Sequence, residues 1–302
     1  MADRLAKVGI MTDSGCDLDR SLCNAIGVIQ LPILVTLGNE TYGDRDDMPP
    51  HEFYQRIAAD RTLVPRTSQI PPASFITTFE AALREHEELI YIAFSSGLSG
   101  TYESACLARA AVAADRIEVI DSLAASVGQG LIVLAAAAMA DRGESRARIA
   151  DAVRFLSKHM EHLFVAGSLE MLQRGGRISK AKAVIGGMLD VRPILHFVEG
   201  RIHSLENARG EKKALRRLIE LMGERGVELR EQTIGINFAA DRSIAERLRD
   251  MIREAYGCDK FVISEVGAAI GSHAGPGTVA VFFLNQLPQE LPPDLGIAIP
   301  QL

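Results

Sequence analysis

The chain has 302 residues, of which 47% are hydrophobic and 24% charged, and its 33 basic and 39 acidic side chains give a net charge of −6. This composition excludes wholesale disorder, and the length predicts one large domain or two moderate ones with a core that needs no disulfide or metal. The mildly acidic balance and the lack of Trp argue against a nucleic-acid-binding surface, since such surfaces are basic and rich in stacking aromatics.

Short apolar runs alternate with segments of helical period along most of the chain. The predicted strands are Val8–Thr12, Val28–Leu37, Leu89–Phe94, Ile117–Ile120, Leu163–Ala166, Pro193–Val198, Arg201–Leu205, Thr233–Asn237, Phe261–Ser264 and Val279–Leu284. The predicted helices are Pro49–Asp60, Pro72–Glu88, Gly100–Ala113, Ala124–Arg142, Ser145–Lys158, Gly210–Arg225 and Ser243–Tyr256. Apolar strands separated by helices are typical of parallel sheets covered on both faces, so we expect an α/β fold with mainly parallel sheets.

The pattern of predicted elements changes in the second half of the sequence. There, Glu199-Gly200 lies between two short strands and predicts a hairpin. We therefore expect two α/β domains, residues 1–160 and 161–302, with the boundary near Ser157–Gly167. The proline-containing tail from Asn285 is expected to be irregular.

The sequence predicts a cytoplasmic protein. The start, Met1–Lys7, is charged and leads directly into a strand pattern without a signal peptide, and the four cysteines form no C-x-x-C pair, which is typical of reduced thiols. The longest apolar run, Leu131–Ala140, is half of what a bilayer requires, so we interpret it as a buried helix.

Small hydroxyl and acidic residues follow three predicted strands, at Thr12-Asp13-Ser14, Ser95-Ser96-Gly97 and Asp121-Ser122. In open α/β sheets, ligands bind beyond the carboxyl ends of the strands. Each of these residues could also simply cap the helix that follows it. Their occurrence at three strand ends favours a ligand site.

The densest hydroxyl segment, Phe94–Thr101, lies where a strand turns into a helix, and no Lys or Arg occurs from Tyr91 to Ala108. A helix start with hydroxyls suits one carboxylate, whereas a triphosphate would require cationic side chains. Thr67-Ser68 is a second hydroxyl pair, which could also be a turn. Gly271–Gly277 is interpreted as a rigid loop in which His273 either binds a carboxylate or satisfies loop carbonyls.

Motifs for catalysis or cofactor binding are absent from the sequence. It contains no G-x-S-x-G nucleophile elbow, no G-x-G-x-x-G, no phosphate-binding G-x-x-x-x-G-K-[ST] and no H-E-x-x-H. The sequence therefore predicts no catalytic residue, no cofactor and no metal site.

A basic run extends from Gln173 to Leu189, without any acidic residue. Its basic residues are Arg174, Arg177, Lys180 and Lys182, and Arg209 could join them. The run is either solvated surface or a docking face for an acidic partner or a phosphorylated head group. Because it is far in sequence from the hydroxyl segments, we expect Arg177→Glu to leave ligand binding near normal.

Taken together, the motifs resemble the DegV family of bacterial fatty-acid-binding proteins. The resemblance runs in order from Val8 to Phe283 through Thr12-Asp13-Ser14, Thr67-Ser68-Gln69, Ser95–Tyr102, Ile120-Asp121-Ser122, Gly175-Gly176-Arg177-Ile178, Arg192-Pro193-Ile194-Leu195 and Gly275-Pro276-Gly277. Two departures are Gly15-Cys16, where the family usually shows Thr-Ala, and Ile70 in place of a proline.

The resemblance implies two α/β domains with one long-chain fatty acid, such as palmitate or oleate, buried at their junction. It implies that hydroxyls matching Thr67 and the Ser96/Ser99 segment bind the carboxylate, with His273 close by. It also implies a carrier, not a catalyst, that presents the fatty acid to a separate ATP-dependent fatty acid kinase for phospholipid synthesis.

Two other functions remain open at this stage. The protein could be an enzyme, either a hydrolase using Ser99 or Ser96 with His273 or a phosphotransferase acting on a small hydroxy compound. It could also be a regulatory module that senses lipid and docks through Arg174–Lys182, and a peripheral membrane contact is left open.

Overall fold

The computed structural model describes residues 6–178 and 191–289, together with residues 291, 295 and 296. The strands are β1 (Ala6–Asp13), β2 (Val28–Leu31), β3 (Leu34–Leu37), β4 (Glu40–Gly43), β5 (Arg66–Ser68), β6 (His86–Ala93), β7 (Ile117–Asp121), β8 (Met160–Val165), β9 (Val191–Val198), β10 (Arg201–Arg209), β11 (Thr233–Phe238), β12 (Lys260–Glu265) and β13 (Val279–Leu284). The helices are α1 (Arg20–Ala25), α2 (Pro50–Ala59), α3 (Pro72–Ala82), α4 (Thr101–Val112), α5 (Ser126–Asp141), α6 (Arg146–His159), α7 (Leu169–Arg174), α8 (Glu211–Arg225), α9 (Arg242–Tyr256) and α10 (Ala268–Ala274). Short 3₁₀ turns are present at Ser14–Cys16 and Leu229–Glu231.

The first sheet has four parallel strands in the order β2-β1-β6-β7. Ile90 and Ile92 of β6 join the core formed with α5 and α6, whereas Leu89 and Tyr91 join the core formed with α3 and α4. Successive strand residues face opposite sides of a sheet, so burial of both faces requires the near-continuous apolar run that the sequence has here. The carboxyl ends of these strands lie at one edge of the sheet, where the hydroxyl-rich loops begin.

A small antiparallel sheet, in the order β4-β3-β5, separates from the first sheet at Pro32. The sequence predicted one strand over Val28–Leu37, but β2 stays in the first sheet while β3 leaves it. Proline has no backbone N–H to donate to a ladder, so it interrupts the strand at this point. This sheet positions Thr67 on β5, opposite Val35 of β3.

The second large sheet has six strands in the order β10-β9-β8-β13-β11-β12, with α8 and α9 packed on one face. The α/β class is confirmed, but the expected parallel pairing holds only for the first sheet. In the second sheet β11 and β12 pair parallel, and the other neighbouring strands are antiparallel. The hairpin at Glu199-Gly200 contributes to this difference, because its two turn residues, with φ of +48° and +74°, return the chain directly beside β9.

Helix α5 lies between the two large sheets and is buried along most of its length. It contacts β1 of the first sheet and β11 of the second. The apolar run Leu131–Ala140 falls within this helix, as the sequence predicted. Among the described residues, no helix is both long and apolar enough to span a bilayer. The chain enters the second sheet at Met160, next to the predicted domain boundary.

Other elements also differ from the sequence-based expectation, and α1, β4 and β5 were not predicted. Helix α3 ends at Ala82 and β6 already begins at His86, so the predicted helix Pro72–Glu88 was too long. Helix α7 was not predicted. Helix α10 takes up the first part of Gly271–Gly277, so His273 lies in the last turn of a helix and not in a loop.

Candidate functional site

A mainly apolar cavity lies between the first domain and the second sheet. Its wall includes Phe94 and Leu98 from the loop after β6 and Phe164, Phe197 and Phe282 from the second sheet. The space free of protein atoms, including the part that opens to solvent, is about 870 Å³. The location matches the expected ligand position at the junction, and the wall suits an elongated apolar molecule.

One end of the cavity is formed by a contact between distant parts of the chain. The Oγ1 atom of Thr67, on β5, lies 2.8 Å from Nε2 of His273, in the last turn of α10. The other ring nitrogen, Nδ1, is buried and has no hydrogen-bond partner among the described residues. It packs against Gly175, where a Cβ atom would overlap it, so a residue without a side chain is required there.

His273 is uncharged at neutral pH. Burial lowers the pKa of its imidazole to about 4, and the positive charges of Arg177 and Arg174 lower this pKa further in the same direction. The ring can therefore donate one hydrogen bond and accept another, but it supplies no positive charge to a ligand.

Ser99 and Ser96 were both candidates for carboxylate binding, and the structure separates them. Ser99 lines the cavity, and its Oγ accepts a hydrogen bond from the N–H of Thr101 at 3.3 Å and lies 2.9 Å from the Thr101 hydroxyl. Ser96 does not contribute to the cavity wall in the described part of the chain. Its backbone N–H donates to Asp121 at 3.2 Å, on the other side of the turn.

Arg177 belongs to the cavity wall, whereas the sequence analysis assigned it to a docking face apart from the hydroxyl segments. Its Nε donates to the carbonyl of Leu98 at 3.1 Å, and Nη1 donates to the carbonyl of Gly175. It forms no ion pair with any described carboxylate. Burial lowers the pKa of its guanidinium, which still leaves the group charged. Sequence distance alone could not show that α7 brings this arginine next to the Ser99 loop.

Of the other basic residues named above, the structure describes Arg174 and Arg209, and neither lines the cavity. Arg174 is exposed at the end of α7. Ser204 of β10 lines a surface depression together with Arg177, and Arg209 is exposed five residues further on, which is about 17 Å along a strand. Lys180 and Lys182 lie outside the described residues.

Several polar residues elsewhere in the cavity wall were not found by the sequence analysis, and each is bonded to protein atoms. His162 accepts from the N–H of Ala125 at 3.2 Å, and its other ring nitrogen lies 3.0 Å from the carbonyl of Met160. The hydroxyl of Ser126 donates to Asp17 at 2.7 Å, and Thr278 donates to backbone carbonyls. These bonds leave the ring and methyl groups as the surface that a ligand would contact.

The described residues contain no group of three or more His, Cys, Asp or Glu side chains that could hold a metal ion. The four cysteines are free thiols, and Cys106 is the one that is not fully buried.

A sequence model described as "Uncharacterised protein, DegV family" matches residues 7–286. The chain belongs to the DegV family. Two DegV domain-containing proteins are similar over nearly their whole length. The one from Clostridium perfringens is 38% identical, with 93% of this chain and 98% of the relative covered. The one from Caldanaerobacter subterraneus subsp. tengcongensis is 34% identical, with 92% and 99% covered.

Solved structures of DegV proteins have the same fold. A DegV family protein from Thermus thermophilus, described by its fatty acid binding, superimposes with a TM-score of 0.84 at 31% identity, covering 91% of this chain and 98% of that one. DegV from Bacillus subtilis, described as a fatty acid binding protein, superimposes with a TM-score of 0.82 at 30% identity, covering 92% and 98%. The two-domain α/β arrangement is thus a property of the family.

Proposed function

We propose that this protein binds one long-chain fatty acid, such as palmitate or oleate. The acyl chain occupies the apolar cavity, and the carboxylate lies at the end formed by Thr67, Ser99, His273 and Arg177. The observation that carries the proposal is the Thr67–His273 contact of 2.8 Å at the end of a mainly apolar cavity. The described DegV relatives from Thermus thermophilus and Bacillus subtilis, which are fatty acid binding proteins, support it.

The tautomer of His273 leaves a hydroxyl hydrogen available for the ligand. Because Nδ1 packs against Gly175 without a partner, we assign the single ring proton to Nε2. Nε2 then donates to the Thr67 oxygen, and the Thr67 O–H is free to donate to a carboxylate. His273 thus orients the hydroxyl that holds the ligand.

Arg177 supplies the positive charge that the hydroxyls lack. Its Nη2 has no hydrogen-bond partner among the described residues, and no described carboxylate neutralises the guanidinium. A ligand carboxylate at this end of the cavity would be its counter-ion. A half-buried arginine and two hydroxyls can together satisfy one carboxylate with charge-assisted hydrogen bonds.

The acyl chain provides most of the binding free energy. Burial of some sixteen methylenes at about 0.8 kcal/mol each gives a gross gain of about 13 kcal/mol. This gain exceeds the middle of the range of free energies that association costs. We therefore expect the protein to keep its lipid through purification.

The arrangement favours a carrier over a hydrolase. A serine hydrolase requires its base within hydrogen-bond reach of the nucleophile. Nε2 of His273 faces Thr67, and the Ser99 hydroxyl is engaged at the start of α4 with Thr101. We propose further that the carrier presents its fatty acid to an ATP-dependent fatty acid kinase in the cytoplasm, where buried free thiols stay reduced.

Mass spectrometry of the purified, unfolded protein tests the proposal directly. We expect close to one long-chain fatty acid per chain, and its removal should create a site that binds added oleate. Protein without lipid that also hydrolyses long-chain esters would favour the hydrolase instead. The kinase step is tested separately, by adding a fatty acid kinase and ATP to the loaded protein and trapping acyl phosphate with hydroxylamine.

A further inference from the structure

Two buried carboxylates hold the start of α10, the helix that carries His273. Oδ1 of Asp17 accepts a hydrogen bond from the N–H of Gly267 at 2.8 Å, and Oδ1 of Asp44 accepts from the N–H of Ala268 at 2.8 Å. Both side chains are excluded from solvent, with 0% and 1% of the residue exposed. Asp17 and Asp44 belong to the first domain, so these bonds attach α10 to it.

The two carboxylates converge on one residue. A Cβ atom at Gly267 would lie 2.9 Å from each oxygen of Asp44 and 3.0 Å from Oδ1 of Asp17. Oδ2 of Asp44 is buried without a hydrogen-bond partner among the described residues, although the Ser14 hydroxyl lies close enough to the carboxyl to lower its pKa. Two like charges this close, one with an unsatisfied oxygen, are costly when both are ionised.

The surrounding charges only partly compensate this pair. Arg45 is buried beside it, but its ion pairs are with Asp17, at 3.4 Å, and with Asp19, at 2.7 Å. Its Nη2 also donates to the carbonyl of Glu265, at the end of β12.

Cys16 also lies near Arg45, His51 faces Glu265, and a further titratable group at the pair is Tyr54 of α2. Its hydroxyl donates to the carbonyl of Val266 at 3.0 Å, next to the carboxylate pair. Arg45 is thus the one positive charge that these contacts place at the cluster, against Asp17, Asp44, Asp19 and Glu265. Adding the Asp44 charge makes the cluster more negative.

The cluster is close enough to the head-group end of the cavity to affect it. Ala268 and His273 are five residues apart on α10, which is about 7.5 Å along the helix axis. The same short helix contributes Ala269, Ile270 and Ala274 to the cavity wall. A shift at its start therefore moves His273 relative to Thr67.

We propose that Asp44 is a positioning residue for the head-group site: its proton determines how firmly α10, and His273 with it, is held against the first domain. This inference rests on the proposed function. With the proton on Oδ2, Asp44 still accepts from the N–H of Ala268 through Oδ1, and the repulsion with Asp17 disappears. Without the proton, the two carboxylates repel each other and move apart, which loosens the hydrogen bonds that they accept from Gly267 and Ala268.

The pH range of the effect follows from the direction of the shift. Burial is the main cause that raises the pKa of Asp44 from 3.8 to about 7, the charge of Arg45 lowers it, and that of Asp17 raises it. The folded protein thus binds this proton more tightly than the unfolded chain does. The stabilisation is complete below about pH 4 and is lost as the pH rises to about 7.

The test compares wild type with Asp44→Asn in titrations with the fluorescent fatty acid cis-parinaric acid from pH 5.5 to 8.5. Asn resembles the protonated acid, with one oxygen to accept and an N–H to donate. We expect Asp44→Asn to match wild type at pH 5.5 and to bind about fivefold more tightly at pH 8.5. Ionisation of the probe affects both proteins equally and cancels in the ratio. The Tm of the lipid-free variant should exceed that of wild type at pH 8.5 only.

Asp46→Asn is the matched control. Asp46 lies two residues away on the same loop, but it pairs with Arg20 at 2.8 Å and makes no hydrogen bond to α10 in the described part of the chain. It should retain the wild-type pH profile. Parallel profiles for wild type and Asp44→Asn would overturn the inference. Failure of wild type to bind the probe at any pH would contradict the proposed function, and the inference would fall with it.

Discussion

At the scale of single residues, the proposed head-group site combines neutral hydrogen-bonding groups with one charge. Thr67 and Ser99 supply hydroxyls, His273 is held neutral by burial, and Arg177 carries the positive charge. Each group is fixed by a protein contact before any ligand arrives: Thr67 by His273, Ser99 by Thr101, and Arg177 by Leu98. Such a pre-organised site loses little side-chain entropy on binding.

Removing either hydroxyl should weaken fatty acid binding. A hydrogen bond to a charged acceptor contributes about 1.5–3 kcal/mol, so Ser99→Ala and Thr67→Ala should each reduce affinity about tenfold or more. The double variant should lose less than the sum, because both groups serve one carboxylate. Titration with a fluorescent fatty acid measures all three.

Ser96→Ala is the control for that experiment, since Ser96 is in the same loop but outside the cavity wall, and Thr67→Ser should restore most of the affinity. Unchanged affinity in both single alanine variants would refute the carboxylate site. The methyl ester of the fatty acid should bind poorly to wild type and lose little more in the variants.

Arg177→Gln should reduce affinity for the fatty acid about fivefold or more, because it removes the charge that faces the carboxylate. The exposed neighbour is the control: Arg174→Gln should change affinity less than twofold, since a solvated charge interacts weakly. Calorimetric titration at two salt concentrations compares them. A wild-type affinity in Arg177→Gln would show that Arg177 does not bind the carboxylate and would favour its interpretation as a docking residue.

The sequence could identify the hydroxyls and His273 but not their arrangement. Thr67 and Ser99 lie in motifs that resemble the family, Ser99 also follows a recognisable apolar strand, and His273 stands out as the histidine of the glycine-rich segment Gly271–Gly277. Arg177 could not be placed, because its position next to Leu98 depends on a tertiary contact between segments 79 residues apart. The sequence around Asp44 and Arg45 contains no pattern that predicts their burial, because that burial depends on the packing of α10 against the first domain.

At the scale of elements, short helices next to glycines determine the geometry of the site. Helix α10 has seven residues and no helical hydrophobic period, which is why the sequence predicted a loop there. Helix α7 ends at Gly175, and this glycine makes room for the ring of His273. The Gly175-Gly176-Arg177 segment thus has two functions: it packs closely against His273, and it places Arg177 in the cavity wall.

Gly175→Ala should disturb the site through overlap alone. The backbone of Gly175 is right-handed, with φ of −71°, so alanine is not strained there, but its Cβ would displace His273. We expect about a fivefold or greater loss of fatty acid affinity with a small loss of stability.

Gly176→Ala should have the opposite effect, a loss of stability with little change in fatty acid affinity. Its φ is +73° and no atom lies within 4 Å of the Cβ position, so alanine is strained but does not collide. Stability should fall by about 1–2 kcal/mol while affinity stays near that of wild type. Equal affinities in the two variants would show that His273 needs no fixed position. Urea unfolding and lipid titration together distinguish the cases.

At the scale of the whole molecule, the cavity depends on both sheets at once. The Thr67–His273 pair joins residues 206 positions apart, and Ser95 donates to the carbonyl of Gly200 at 2.7 Å, across the same junction. The α/β class and most strands could be predicted from apolar runs. The antiparallel order of the second sheet could not, because strand periodicity carries no information about which strands become neighbours.

Protonation of the buried His162 and His273 should cost stability in a defined acid range, against the stabilising effect of the proton on Asp44. Burial lowers the pKa of His273 and of His162 from 6.5 to about 4. The folded state holds these protons less tightly than the unfolded chain, so the stability is present above about pH 6.5 and is lost as the pH falls toward 4. The Tm of His273→Gln should therefore fall less steeply than that of wild type over this range. Identical slopes would contradict the neutral state of His273.

Helix α5 couples the unfolding of one half of the molecule to the unfolding of the other. Its buried faces are shared by both large sheets, so unfolding either sheet exposes apolar side chains that belong equally to the second. Separating the halves would expose this shared apolar surface to water, so we expect partly unfolded states to be poorly populated. Cooperativity is the consequence: a calorimetric scan should show one transition, and a chain cut after residue 160 should yield fragments that aggregate separately.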